Sequence, residues 1–217
     1  MTPRSALLSP ALSDYVLAHT EPPDEVMAAL IAETAGMSEV NMQIGPDQAA
    51  FMTLLARSVN ARRAIEIGTF TGLSALAVAR ALPEDGSLLC CDINPEWTAI
   101  GRRYWERAGV SDLIEVRIGP AAQTLAALPE EPTYDFAFVD ADKTGYAAYV
   151  AALYPRMRTN ALVLLDNTLR SGRVLGGTDT SPDDQALIAL NDELAADSRW
   201  ETVLLPVADG LTLLRKR

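Results

Sequence analysis

The stretch AIEIGTFTG, residues 64–72, decides the fold. Its first half, AIEIG, is short and apolar and reads as a buried strand. Its second half turns through Gly68 and Gly72 into an apolar run that predicts a helix from Thr71 to Leu82. A strand feeding a helix through a glycine turn is the opening unit of an α/β fold. The two glycines let the backbone turn tightly and approach a ligand closely. The dinucleotide pattern GxGxxG is absent, because Phe70 stands where its second glycine is needed. The loop therefore suits a nucleotide-like ligand without a strong pyrophosphate requirement. Taken by itself, it suits a plain connection equally well.

Outward from this unit the pattern alternates. SLLCCDI (87–93), LIEVRI (113–118), YDFAFVDA (134–141) and ALVLLDN (161–167) read as strands. Helices are expected over Pro95–Ala108, near Ala121–Leu128, near Gly145–Arg156, and over Pro182–Ala196. The last is opened by Ser181, with Pro182 at its first position. ETVLLPV (201–207) and LTLLRKR (211–217) close the chain as two strands joined at Ala208-Asp209-Gly210. Such alternation demands a mostly parallel sheet covered on both faces, with the closing hairpin adding one antiparallel strand. Upstream, Leu12, Tyr15, Val16 and His19 recur at helical spacing, and Pro22-Pro23 breaks the pattern. Asp24 can start a second helix through Val26, Met27, Leu30 and Ile31. After Gly45-Pro46-Asp47 a third is marked by Phe51, Leu54, Leu55 and Val59. Residues 1–60 are thus expected to be a helical extension packed on a single domain of residues 61–217.

Composition narrows the function. The chain has 217 residues, 49% of them hydrophobic, enough for one α/β domain with a large core. Its formal net charge of −11 disfavours a nucleic-acid partner, since such binding rests on Lys and Arg neutralising phosphates. Cys90 and Cys91 are adjacent, so in a strand they point to opposite faces. Neither a disulfide framework nor a CxxC motif is present. No stretch has signal-peptide character, and none approaches the roughly 20 apolar residues of a membrane span. A cytoplasmic protein is expected.

In parallel sheets of this kind, ligands bind beyond the carboxyl ends of the strands. Asp92 ends the second strand, where a carboxylate can accept both hydroxyls of a ribose. The alternative is that it caps the helix at Pro95. The fourth strand ends in Asp140, Asp142 and Lys143, and the fifth in Asp166 and Asn167. Carboxylate and amide oxygens suit a hard cation, with Mg²⁺ expected and Ca²⁺ or Mn²⁺ as alternatives. The sole histidine, His19, is distant in sequence, so a His-rich zinc site is not available. Each residue alone could instead serve a helix cap or an Asx turn.

These motifs, taken in order, resemble the cation-dependent O-methyltransferases typified by caffeoyl-CoA O-methyltransferase and, more distantly, by catechol O-methyltransferase. The matching stretches are MQIGPDQAAF (42–51), EIGTFTGLS (66–74), ALPEDGSLLCCDIN (81–94), IGPA (118–121), YDFAFVDADK (134–143), LDNTL (165–169) and LLPVADGLTL (204–213). The resemblance implies a Rossmann-like S-adenosylmethionine-dependent methyltransferase fold with a seven-stranded sheet. It implies donor contacts at Met42, Ile44, Glu66, Gly68, Thr69, Ser74, Asp92, Ala121 and Asp140. It implies cation ligands Asp140, Asp166 and Asn167, and Lys143 as the residue nearest the acceptor hydroxyl. A homodimer is implied as well. The chain departs from the family at Arg170, where an aromatic residue is usual, and at Thr159-Asn160, where a glycine pair is usual. Arg170 and Arg173 are expected to be solvated, with contact to an acidic acceptor as the alternative. Asn160 can keep the turn because asparagine tolerates left-handed backbone.

The reaction expected is methyl transfer from S-adenosylmethionine to a hydroxyl of a small vicinal diphenol, catechol or caffeoyl-like. Asp140 and Lys143 form the catalytic pair, and Lys143 is placed to take the acceptor proton. The bland reading of Lys143 is a surface lysine paired with Asp140 or Asp142. Two further alternatives are a non-catalytic donor-binding protein and a nicotinamide-dependent oxidoreductase, the latter opposed by the missing GxGxxG.

Overall fold

The computed structural model describes residues 8–217. The first seven residues of the expected extension lie outside the described residues. The first strand, β1 (Arg63–Ile67), is buried along four of its five positions. It lies between β2 (Ser87–Asp92) and β4 (Tyr134–Val139), parallel to both. β3 (Ile114–Ile118), β5 (Met157–Asp166), β6 (Trp200–Leu205) and β7 (Leu211–Lys216) complete a seven-stranded sheet in the order β3-β2-β1-β4-β5-β7-β6. β7 runs antiparallel to both of its neighbours, β5 and β6, and the remaining strand pairs are parallel. This is the Rossmann-like arrangement expected, with the strand order reversing between β1 and β4. The crevice at that reversal is where such sheets bind ligands.

Helices cover both faces. Leu30 of α2 (Glu25–Thr34), Ala49, Met52 and Ala56 of α3 (Pro46–Ser58), every residue of α4 (Leu73–Ala79) but Ser74, and Trp105 of α5 (Pro95–Arg107) share one apolar cluster with Cys90. α6 (Ala121–Ala127), α7 (Tyr146–Leu153) and α8 (Pro182–Ala196) pack on the other face with Cys91. The adjacent thiols thus face opposite cores, as strand alternation requires, and both are free and buried.

Local chemistry explains where the boundaries differ from those read in the sequence. α4 begins at Leu73 rather than Thr71, because Gly72 sits in left-handed backbone (φ +82°) and ends the preceding turn. Pro155 closes α7 early, leaving a 3-10 turn over Tyr154–Arg156. Asn160 adopts the left-handed backbone expected of it, at φ +69°, but within β5 rather than in a turn before the strand. Asp24 caps α2 with a bond to the Met27 amide of 2.9 Å, and Ser181 with Asp184 forms a full capping box on α8. The upstream helices exist as read; the apolar positions marked in α2 pack on the core, but some of those marked in α1 (Pro10–Ala18) and α3 face outward. In α1, Leu12 and Tyr15 are exposed, as is Leu54 of α3; Ala49, Met52 and Ala56 face inward instead. Among the described residues no helix is long and apolar enough to cross a membrane.

Candidate active site

A cavity of about 1030 Å³ opens beyond the carboxyl ends of β1, β2, β4 and β5. Its floor is the glycine loop. A Cβ added to Gly68 would lie 2.0 Å from the carbonyl oxygen of Asp140, so only glycine lets β1 and β4 close together here. A Cβ on Gly72 would meet the Trp105 indole, whose Nε1 donates to the Gly72 carbonyl at 3.0 Å. Met42 and Ile44, from the segment before α3, form one wall, and Ser74 and Ala121 line the cavity where α4 and α6 begin.

Asp92 does not cap α5; Asn94 does, accepting from the amides of Glu96 and Trp97. Asp92 instead fastens the glycine loop. Its Oδ2 accepts from the Thr69 and Phe70 amides, each at 2.8 Å, and its Oδ1 from the Asn94 amide at 2.8 Å. A carboxylate oxygen can accept more than one hydrogen bond, so Oδ1 keeps capacity for a ligand hydroxyl.

Of the residues singled out in the sequence, Met42, Ile44, Gly68, Thr69, Ser74, Asp92, Ala121, Asp140, Lys143, Asp166 and Asn167 all line this cavity. Glu66 does not reach the wall. It is fully buried beneath the glycine loop, with one carboxylate oxygen lacking any partner. Burial drives its carboxyl up to about 8; the hydroxyls of Ser74 and Thr69 oppose that rise, and the charges of Asp140 and Asp92 add to it.

Asp140 and Asp166 meet at the far side. The Lys143 ammonium donates to Asp140 Oδ1 at 2.8 Å and to the Tyr146 phenol oxygen at 2.7 Å. That phenol lies 3.0 Å from the Val139 carbonyl and 3.1 Å from the Asp166 carbonyl, tying together the ends of β4 and β5. Lys143 thus pairs with Asp140 as the bland reading had it, but it is buried rather than on the surface. Burial, then the Asp140 charge, pushes the Asp166 carboxyl up to about 7, against the Gln48 amide, Lys143 and the Asn167 amide, which lower it. Asp166 Oδ1 accepts from the Asn167 N–H at 2.8 Å, and Asn167 is held at φ +56°. Asp142 accepts a hydrogen bond from the Tyr149 phenol at 2.6 Å.

The donor set fits a hard cation in chemistry and in number only with help. Among the described residues no three His, Cys, Asp or Glu side chains gather as a metal site. A cation here would rest on the buried Asp166 carboxylate, the partly buried Asp140 carboxylate, the Asn167 amide oxygen and water, a set typical of Mg²⁺. Sulfur and imidazole are absent from the wall apart from the Met42 thioether and the Cys91 thiol.

Arg170 and Arg173 are not turned to a ligand; Arg173 keeps 53% of its side chain exposed, as expected, while Arg170 is 25% exposed. Both bind Asp184 on α8, with Arg170 Nε at 3.1 Å and Arg173 Nε at 2.9 Å. This clamp fixes the turn Arg170–Leu175 after β5, whose Ser171 lines the cavity. The sequence reading also missed Tyr146, which is three residues beyond Lys143, and Gln48, which lies inside the quoted stretch MQIGPDQAAF and is fully buried against the cavity. A lone Tyr or Gln carries no pattern in a single sequence.

Comparison with known proteins agrees with this geometry. A family model described as O-methyltransferase matches residues 18–217. Caffeoyl-CoA O-methyltransferase 5 of Nicotiana tabacum is 39% identical over 225 residues, covering 98% of this chain and 94% of its own. The crystal structure of an O-methyltransferase from Bacillus cereus in complex with S-adenosylhomocysteine (SAH) superposes with TM-score 0.85 at 29% identity, covering 95% of this chain and 97% of that one. TomG of Streptomyces achromogenes, solved in complex with S-adenosylmethionine, does so with TM-score 0.84 at 26% identity, covering 95% and 96%. A match across almost the whole chain, on a fold whose crevice holds the expected residues, places this chain in the O-methyltransferase family.

Proposed function

We propose that the chain is an S-adenosylmethionine-dependent, divalent-cation-dependent O-methyltransferase acting on one hydroxyl of a small vicinal diphenol. The observation that carries this reading is the convergence of the glycine loop, Asp92, Asp140, Lys143, Asp166 and Asn167 on one cavity. The donor lies across the glycine loop, with Asp92 toward its ribose and Met42, Ile44, Thr69, Ser74 and Ala121 around it. Glu66 acts from beneath, holding the hydroxyl-bearing side of the loop. The extension expected over residues 1–60 packs on the domain of residues 61–217 and contributes cavity wall from residues 41–48, and the protein works as a cytoplasmic homodimer.

A phenol ionises near pH 10, so little oxyanion exists at neutral pH. A divalent cation, held by Asp140, Asp166 and Asn167, would supply stabilisation of that oxyanion charge when bound. Lys143 Nζ, fixed by Asp140 and Tyr146, takes the acceptor proton when it enters the step as the neutral amine, and is left as the ammonium. The buried walls exclude water, which favours a step in which sulfonium and oxyanion neutralise each other. In-line placement of the two reacting groups supplies much of the rate. The test is methylation of a vicinal diphenol with labelled donor, in Mg²⁺ and in chelator. Activity should vanish in chelator; unchanged turnover there would reject the cation role. Asp166→Ala should lose at least 100-fold in turnover while its SAH affinity stays within a few-fold.

A further inference from the structure

Among the described residues, two side chains on the cavity wall, Gln48 and Thr69, have buried polar atoms without a hydrogen-bond partner, and Gln48 leaves both an amide nitrogen and an amide oxygen unspent. It is 0% exposed, and neither its amide nitrogen nor its amide oxygen has a hydrogen-bond partner. Gln48 sits in the first turn of α3, which starts at Pro46. That turn sets its amide at the cavity on the side of Asp166, whose carboxyl it influences without meeting hydrogen-bond geometry. A buried amide left without partners is costly in any folded protein, so its retention requires a compensating partner. No described side chain supplies one.

We propose that the Gln48 amide is an acceptor-binding group: it hydrogen-bonds an oxygen of the bound acceptor beside Asp166 and thereby decides which of two neighbouring hydroxyls faces the donor. This rests on the O-methylation reading above. The chemistry of the amide favours such a ligand. It offers donors and an acceptor together, and a pair of adjacent phenolic oxygens, one ionised and one protonated, needs one of each. The polar groups nearby are otherwise committed. Asp166 Oδ1 accepts from Asn167, and Lys143 donates to Asp140 and Tyr146. A group spent on no partner within the protein is free to discriminate between ligand poses.

The test is Gln48→Met, which keeps the volume and removes the amide. Full-length wild type and variant are compared with 3,4-dihydroxybenzaldehyde, whose two hydroxyls are distinguishable, in Mg²⁺ with S-adenosylmethionine. The variant should show at least a tenfold higher KM for the aldehyde, a smaller change in kcat, and a ratio of 3-O- to 4-O-methyl product moved toward one. Its Kd for SAH should stay within twofold of wild type. Its ligand-free Tm should equal or exceed that of wild type, because an unsatisfied amide has been removed. A variant that unfolds, or whose ligand-free Tm drops, would show that the amide is structural and overturn the proposal. So would an unchanged KM and product ratio. A tenfold rise in the Mg²⁺ concentration needed to raise Tm would make the amide a cation ligand instead, and overturn it too. A wild type that methylates neither hydroxyl sinks the O-methylation reading and this inference together. An active wild type matched by the variant sinks the inference alone.

Discussion

Glu66 shows how one side chain can carry a cost that its fold tolerates. Its carboxyl sits at the end of β1, sealed beneath the glycine loop and raised to about 8, chiefly by burial. In the unfolded chain it would titrate near the ordinary glutamate value of about 4.3. Between those values the folded protein holds a proton that the unfolded chain has released. Stability therefore falls as pH rises through that window, by up to about 1.4 kcal/mol per pH unit. Glu66→Gln keeps the shape and removes the titration. Thermal melts of the ligand-free protein from pH 5 to 8 should show the wild type losing stability relative to the variant, with the gap widest at pH 8. Parallel melting curves would mean that Glu66 is already ionised in the fold. At this scale the sequence was informative only where a residue type is forced by its place. Asp92, Asp140, Asp166 and Asn167 end strands, and a carboxylate or amide at a strand end of a parallel sheet has few other uses. Glu66 sits one turn of the pleat earlier, and nothing in its neighbours distinguishes a wall residue from one beneath the wall.

The elements show a different division. β1, β2, β4 and β5 were legible because each is a continuous apolar run buried on both faces, and that signal does not depend on distant contacts. The inward face of α1 and α3 was not legible. Those helices pack only one side, and which side is set by the neighbours rather than by the helix's own apolar spacing. The turn Arg170–Leu175 was misread for a related reason, since its partner Asp184 comes from α8, ten or more residues on. Asp184 is fully buried. Burial alone would raise its carboxyl, but hydrogen bonds from the Ser181 hydroxyl and amide, then from Arg173 and Arg170, hold it well below the usual carboxylate range. A carboxylate depressed in this way contributes stability above the ordinary value near 4, and loses it as pH falls through the lowered folded value. Replacing Arg170 and Arg173 together by Ala should lower Tm at pH 7 and move the onset of acid unfolding to higher pH. Because Ser171 belongs to the clamped turn and lines the cavity, the acceptor KM should rise while SAH affinity holds. Loss of affinity for both ligands would show that the turn supports the whole crevice rather than its acceptor side.

Over the whole molecule, charge is the property that similarity to relatives does not transfer. The chain carries a net charge of −11, and its cavity repeats that imbalance. Among the described residues, the ionisable side chains on its wall are Asp47, Asp92, Asp140, Asp142, Asp166 and Asp209 among acids, the Cys91 thiol and Tyr149 phenol, and Lys143 as the sole base. Lys143 is already engaged by Asp140, and the two arginines of the neighbouring turn are engaged by Asp184. A coenzyme-A thioester brings several phosphate charges, and phosphate recognition ordinarily depends on Arg, Lys or free backbone amides. Asp47 and Asp209 would repel such a group at the wall instead of receiving it. A free diphenol that is neutral or carries an amine meets no such penalty. The relatives named for caffeoyl-CoA therefore argue for the chemistry of this site more than for the size and charge of its acceptor. Competition at equal concentration between caffeoyl-CoA and 3,4-dihydroxybenzaldehyde should give kcat/KM at least tenfold higher for the aldehyde at low salt. The gap should narrow as salt is raised and the repulsion is screened. Asp47→Asn combined with Asp209→Asn should narrow it further without changing SAH affinity. A preference for the thioester at low salt would mean that its phosphates are bound by bases outside the cavity wall, and the wall's charge would then have no say in the choice of acceptor.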